Sequence, residues 1–284
     1  MKKFRITKAA VLAAILAGAA VICLSGCSVK MSYNYKNADK YKAGDREITE
    51  KIEAVDVDYI AGNVTLTGGK TDKVTIKETS KTNIDDKLKV HTWVDGKTLY
   101  VKYCAAAKGM NFKNLKKSLA ITVPSDVKLS DVKIDAAAGN VRADCSANRY
   151  NLDASAGNIT LIQHGKSDMI GIDASAGDVD AEVEAVGKMS ADASAGDLKF
   201  RFANVPKKTD IDASAGDVEI SMPEKTDLTL KADLAGGEFS SDIPFAKKDD
   251  KYIYGKGVNR MDIDASAGDV TIRKNDRDAV KGAV

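Results

Sequence analysis

Histidine, proline, cysteine and tryptophan are all scarce in this chain of 284 residues: two, four, four and one, with aromatics at 6%. Each scarcity excludes something. His91 and His164 are far apart and in no zinc or catalytic motif. Nucleophile elbow, phosphate loop and paired-carboxylate signature are also missing, so the chain reads as a non-enzyme with no cofactor and no metal. Of the cysteines, only Cys104 and Cys145 lie beyond residue 27, too few to define a disulfide framework and without metal spacing. Cys145 is in phase with Val141 and Ala143 and reads as a buried free thiol. Helical periodicity of 3.6 is missing throughout. So is a basic excess: the first 26 residues hold four basic residues and no acid, and the remainder holds 39 basic against 41 acidic residues. That balance argues against a nucleic-acid partner.

What the chain does have is an octet, Ile-Asp-Ala-Ser-Ala-Gly-Asp-Val, complete at 172–179, 211–218 and 263–270. Looser copies begin at Ile134, Leu152, Ala191 and Ala232, and a faint one at Val57. A step of about twenty residues marks a stacked-repeat architecture. Within a copy, Ile172, Ala174 and Ala176 alternate with Asp173 and Ser175, the period of a strand with one buried face. Gly177-Asp178 breaks the alternation at a bend, and Val179, Asp180 and Ala181 begin a second strand. Irregular loops follow, such as Val205-Pro206-Lys207-Lys208 and Met222-Pro223-Glu224-Lys225, with proline between strands. Identical octets favour coils stacked parallel and in register. The expected fold is all-β, a parallel β-helix or solenoid of about 20-residue coils behind a less regular N-terminal β cap.

The chain divides accordingly. Residues 1–26 read as a lipoprotein signal peptide, with a basic start and an apolar run from Ala9 to Cys23 too short to span a membrane. Leu24-Ser25-Gly26-Cys27 is similar to the bacterial lipobox, which makes Cys27 the lipidation site and implies a diacylglyceryl anchor, palmitate-type chains and an extracytoplasmic place on the cell membrane. Residues 27–50 read as a polar tether, with Tyr33, Tyr35 and Tyr41 packing on the first coil as the alternative. Residues 51–125 form the N-terminal β region. The step of 77 residues from Val57 to Ile134 gives room for about four coils, and 74–76, 88–92, 98–103 and 118–123 read as strands, with a hairpin turn at Val94-Asp95-Gly96-Lys97. Residues 126–273 form the regular repeats, with an insertion at 240–261, and 274–284 a charged tail.

In-register stacking would align Asp135, Asp153, Asp173, Asp192, Asp212 and Asp233 in one outward file. Asn140, Asn158, Asp178, Asp197, Asp217 and Glu238 would align at the bend. Like charges one strand apart repel, so such files need compensation, from bend amides and serine hydroxyls or, as the alternative, from calcium.

The octets, the strand Leu119–Pro124 and the lipobox together resemble the β-strand-repeat, domain-of-unknown-function family of bacterial envelope proteins, often labelled adhesins. The likeness covers Ile52 to Arg273. The segment Asp39–Ile48 is similar to lipoprotein members from Gram-positive anaerobes. The resemblance implies a β-helix-like fold outside the membrane and no catalytic residues. The function expected is a lipid-anchored cell-surface module binding a surface glycan, wall polymer or protein ligand. The alternatives are an accessory lipoprotein of envelope-stress signalling and an extracellular polysaccharide-active enzyme.

Overall fold

The computed structural model describes residues 30–111 and 115–275, so Cys27, the leader and the tail beyond Asn275 lie outside the described residues. The chain is all-β. A two-stranded sheet joins Lys30–Tyr33 to Ala107–Asn111, and every other strand belongs to one 22-stranded sheet folded into two faces. In each repeat the first half of the octet lies on one face (face A) and the second half on the other (face B). The strand Ile159–Ala174 starts on face B and ends on face A one layer on, and Val179–Ala193 repeats the course. A coil is therefore two strands and a Gly bend, and the sheets stay open.

The stacking is parallel and in register. Asp135 pairs with Asp153, Asp153 with Asp173, Asp173 with Asp192, and Asp192 with Asp212. Between the faces lies the core: Ile172 and Ala174 on one side meet the layer of Val179 and Ala181 on the other, all buried. The inward alternation stops at Ala174, however. Ala176 is exposed, because the bend already begins at Ser175. The interior alanine column (Ala136, Ala154, Ala174, Ala193, Ala213, Ala265) is closed by larger residues in the same register, Tyr59 at one end and Leu234 at the other.

The bend needs glycine twice over. Gly216 has φ +119°, and a Cβ there would lie 2.2 Å from the carbonyl oxygen of Gly196 in the layer below. Positive φ strains any side chain, and that contact leaves it no room.

The order of layers departs from the order of the chain. Asn259–Ala265 stacks directly on Lys208–Ala213, and Leu228–Leu234 stacks outside it. On face B, Val270–Lys274 likewise sits between Val218–Met222 and Phe239–Ser241. The octet at 263 is thus an inner layer and the copy at 232 the outermost. The hairpin expected in the insertion is present, Ala246–Lys248 with Lys251–Tyr254, and it pairs antiparallel along Leu228–Leu230, covering part of the exposed edge.

At the other end, the layer Ala54–Ala61 pairs directly with Asp131–Ala138. The described residues among the intervening 62–130 form no octet coils; they build the cap, in which Thr98–Lys102 lies parallel to residues 54–58. Asn63–Gly69 continues face B, and Lys117–Pro124 lies parallel to it. Val74–Ser80 and Arg46–Ile48 follow antiparallel. On face A, His91–Asp95 and Thr98–Lys102 make the expected hairpin, turning at Gly96-Lys97. Leu88 ends a short 3₁₀ turn rather than starting a strand, which begins at His91. From Lys30 onward the segment read as a tether is folded: Tyr33, Tyr35, Tyr41, Trp93 and Tyr100 form a chain of ring contacts 4.8–5.7 Å apart, the tyrosine alternative.

Candidate functional site

The bend file and the face-A file, predicted together, have different chemistry. At the bend, each Asx side chain reaches across one layer. Asn63 Oδ1 accepts from the Asn140 amide, Asn140 from Asn158, Asn158 from Asp178, Asp178 from Asp197, and Asp197 from Asp217. Asp217 then accepts from Asp269, and Asp269 from Glu238, all at 2.8–3.0 Å. A short side chain is required, since it must span a single strand spacing. Amide donors compensate the carboxylates here, so this file is a structural spine. Among the described residues Glu238 stands on the outermost layer of the stack.

On face A the file runs Asp58, Asp135, Asp153, Asp173, Asp192, Asp212, Asp264, Asp233. Among the described residues, ion pairs reach only its ends: Lys102 lies 3.0 Å from Asp58, and Lys231 2.5 Å from Asp233. In the middle, carboxyls stand side by side one strand spacing apart. Burial, then the charges of Asp135 and Asp173, push Asp153 up to about 7. Burial also raises Asp135 and Asp173. Asp192 and Asp212 are raised too, by burial first, and share a hydrogen bond. Near neutrality the Asp153 carboxyl can therefore both donate and accept hydrogen bonds, among neighbours whose proton affinity burial also raises. Ser175, Ser194 and Ser214 follow Asp173, Asp192 and Asp212 by two residues, at the start of each bend.

Face B is the opposite case. Its outward charges are neutralised within the face: Arg201 pairs with Asp180 and Glu182, Glu219 with Lys199 and Arg273, and Asp144 with Arg142 and His164. His164 lies in this surface group, its Nε2 2.8 Å from Asp144 Oδ1. His91 is largely buried in the cap, its Nδ1 2.9 Å from the Lys89 carbonyl. Among the described residues no three of His, Cys, Asp and Glu come together in a way that could hold a metal ion. Cys104 and Cys145 are free and buried, their thiols pushed up to about 12 by burial.

One ionic group in the cap had no signal in the sequence. Lys117, fully buried, sends its Nζ to Glu78 (2.8 Å) and to the carbonyls of Leu88 (2.6 Å) and Tyr103 (2.5 Å), 3.9 Å from the Tyr103 ring centre. Glu78 also accepts from the Tyr59 hydroxyl and the Val90 amide, both at 2.8 Å. Burial lowers the Lys117 pKa, and Glu78 opposes the shift. Lys117 and Glu78 are 39 residues apart with no shared period, so only the folded cap brings them together. With every ammonium proton bonded, the group fastens the cap segments rather than offering a reactive amine.

Fold and faces define a class: an open, two-faced β-repeat protein with one self-neutralised face and one acidic file. The family follows from the sequence. The Toastrack DUF4097 family matches residues 52–183 and again 127–273, and the chain belongs to that family. No curated protein matches it. Solved structures of similar fold include a "putative cell adhesion protein" from Clostridium sporogenes, at 12% identity and TM-score 0.34, covering 82% of this chain and all of that one. "Putative adhesins" from Bacteroides fragilis and Parabacteroides merdae have 12% identity and TM-score 0.39, covering 81% and 83% of this chain and 96% and 97% of theirs. Among the described residues no helix is long and apolar enough to cross a membrane.

Proposed function

We propose that this chain is a non-enzymatic surface protein, held to the outside of the cell membrane through lipid on Cys27. Its rigid stack presents face A to an extended polymer of the envelope, such as a surface glycan or wall polymer. The observation that carries the reading is the in-register file Asp135–Asp153–Asp173–Asp192–Asp212, without a basic partner among the described residues, on a face that repeats at one strand spacing. Solenoid faces suit extended polymers because ligand and surface repeat together. Carboxyls that donate and accept suit hydroxyl groups, and ionised ones suit amines.

The test is an array of glycans and cell-wall polymers probed with the chain from residue 28 onward, beside its Asp173→Asn/Asp192→Asn variant. The expected result is binding to at least one polymer that the variant loses. Binding that survives in the variant would move the site off face A. No binding to any polymer would leave a protein ligand as the partner. Amine-bearing ligands should bind better at pH 8 than at pH 5.5, as Asp153 ionises.

A further inference from the structure

Only two residues separate Cys27 from the first strand, which begins at Lys30 and is tied into the cap by its pairing with Asn111. Three Cα steps span at most about 11 Å. An anchor at Cys27 therefore holds the cap against the bilayer, with no tether between them. The cap's charge fits that position. Residues 30–117 hold 18 basic and 12 acidic residues, whereas residues 118–284 hold 21 and 29, so the cap end is net positive and the repeat end net negative. Around the first strand the bias is steeper: Lys30–Gly44 carries four lysines and one acid. Lys36, Lys40, Lys42 and Lys108 are all exposed there. Among them lie the half-buried rings of Tyr35, Tyr41 and Trp93, with Lys40 Nζ 4.8 Å from the Trp93 ring centre.

We propose that this lysine and aromatic patch is a second membrane contact, docking the cap on the headgroups of anionic phospholipid. Lysines near an anionic leaflet each add to binding, and tyrosine and tryptophan favour the headgroup level. An acyl anchor and a basic patch are the two signals that make attachment stable. The acidic file of face A and the net-negative repeats are repelled by the same surface, so the stack axis points away from the membrane. The proposal builds on membrane attachment from the function proposed above, but its test does not use the anchor.

The chain from residue 28 onward, which lacks the leader and the acyl group but holds every described residue, is sedimented with vesicles at low salt. One set is phosphatidylglycerol and the other phosphatidylcholine. The expected result is binding to phosphatidylglycerol alone, reversed by added salt. The variant Lys36→Glu/Lys40→Glu/Lys42→Glu should lose at least about tenfold in apparent affinity. The variant Lys247→Glu/Lys248→Glu/Lys251→Glu, with equal charge change at the far end, should keep it. Equal melting curves for the three proteins establish that all are folded. Failure to bind phosphatidylglycerol, equal binding to both lipids, or equal loss in both variants would each overturn the proposal. The anchor is checked apart from this, by whether Cys27→Ala abolishes palmitate incorporation in cells.

Discussion

At the scale of the residue, aspartate stands at two positions of the octet and does two unlike jobs. Aspartate after the glycine is a hydrogen-bond acceptor for the next layer and is stabilised by it. In the middle of face A the aspartate before the alanine stands between the carboxyls of the neighbouring layers, and burial raises it. The second kind makes stability depend on pH. Folded Asp153 keeps its proton up to about pH 7, whereas an unfolded aspartate releases it near 3.9. Between those values the unfolded chain binds fewer protons, so stability falls as pH rises. Asp153→Asn removes this loss. Its melting temperature should exceed that of the parent by a few degrees at pH 8 and match it at pH 4. Identical melting at both values would mean that the file ionises at no cost to the fold. Both roles were visible as columns in the sequence, because a period of two fixes which side of a strand a residue takes. What was not visible is which column has donors opposite, since the amides belong to the neighbouring layer.

At the scale of the element, the coil was legible almost to its ends. The glycine dictates the bend, the alternation dictates the faces, and identical octets dictate the register. The order of the last layers was not legible, because Ile211, Ala232 and Ile263 begin copies that fit the same frame. The difference lies in small departures that only the stack explains. Leu234 replaces an alanine that must fit between two layers, and Gly237-Glu238 replaces a glycine and an aspartate that must reach a third. Those are the marks of an outermost coil. The layer order is open to measurement with spin labels at Ser214 paired with Ser266 or with Ala235. Ser214 and Ser266 flank paired strands, although they are 52 residues apart. Their distance should be near one strand spacing of about 4.8 Å, broadened by the label arms, and shorter than that from Ser214 to Ala235 by about one spacing. The reverse order of distances would restore a stack that follows the chain.

At the scale of the whole molecule, the cap was legible as a region that breaks the repeat, with one hairpin at Asp95-Gly96 and the tyrosine packing as an alternative. Its buried Lys117–Glu78 group and the antiparallel pairing of Val74–Ser80 with Lys117–Pro124 arise from contacts distant in sequence with no period to betray them. The far end of the molecule has a consequence in time rather than in space. A chain that emerges from its N-terminus makes residues 228–241 before 259–274, yet the earlier segment rests only on the later one. The final coil must thread its place last, like a card slipped beneath the top of a pile. Ending the chain after Gly255 should therefore remove one coil by sequence but two by structure, leaving 228–254 with nothing to pair against except its own hairpin. In hydrogen exchange, the amides of Leu228–Leu234 should lose their protection in that truncated chain, while those of Val179–Ala193 keep theirs. Protection retained at Leu228–Leu234 would show that the penultimate segment can find the stack without waiting for the end of the chain.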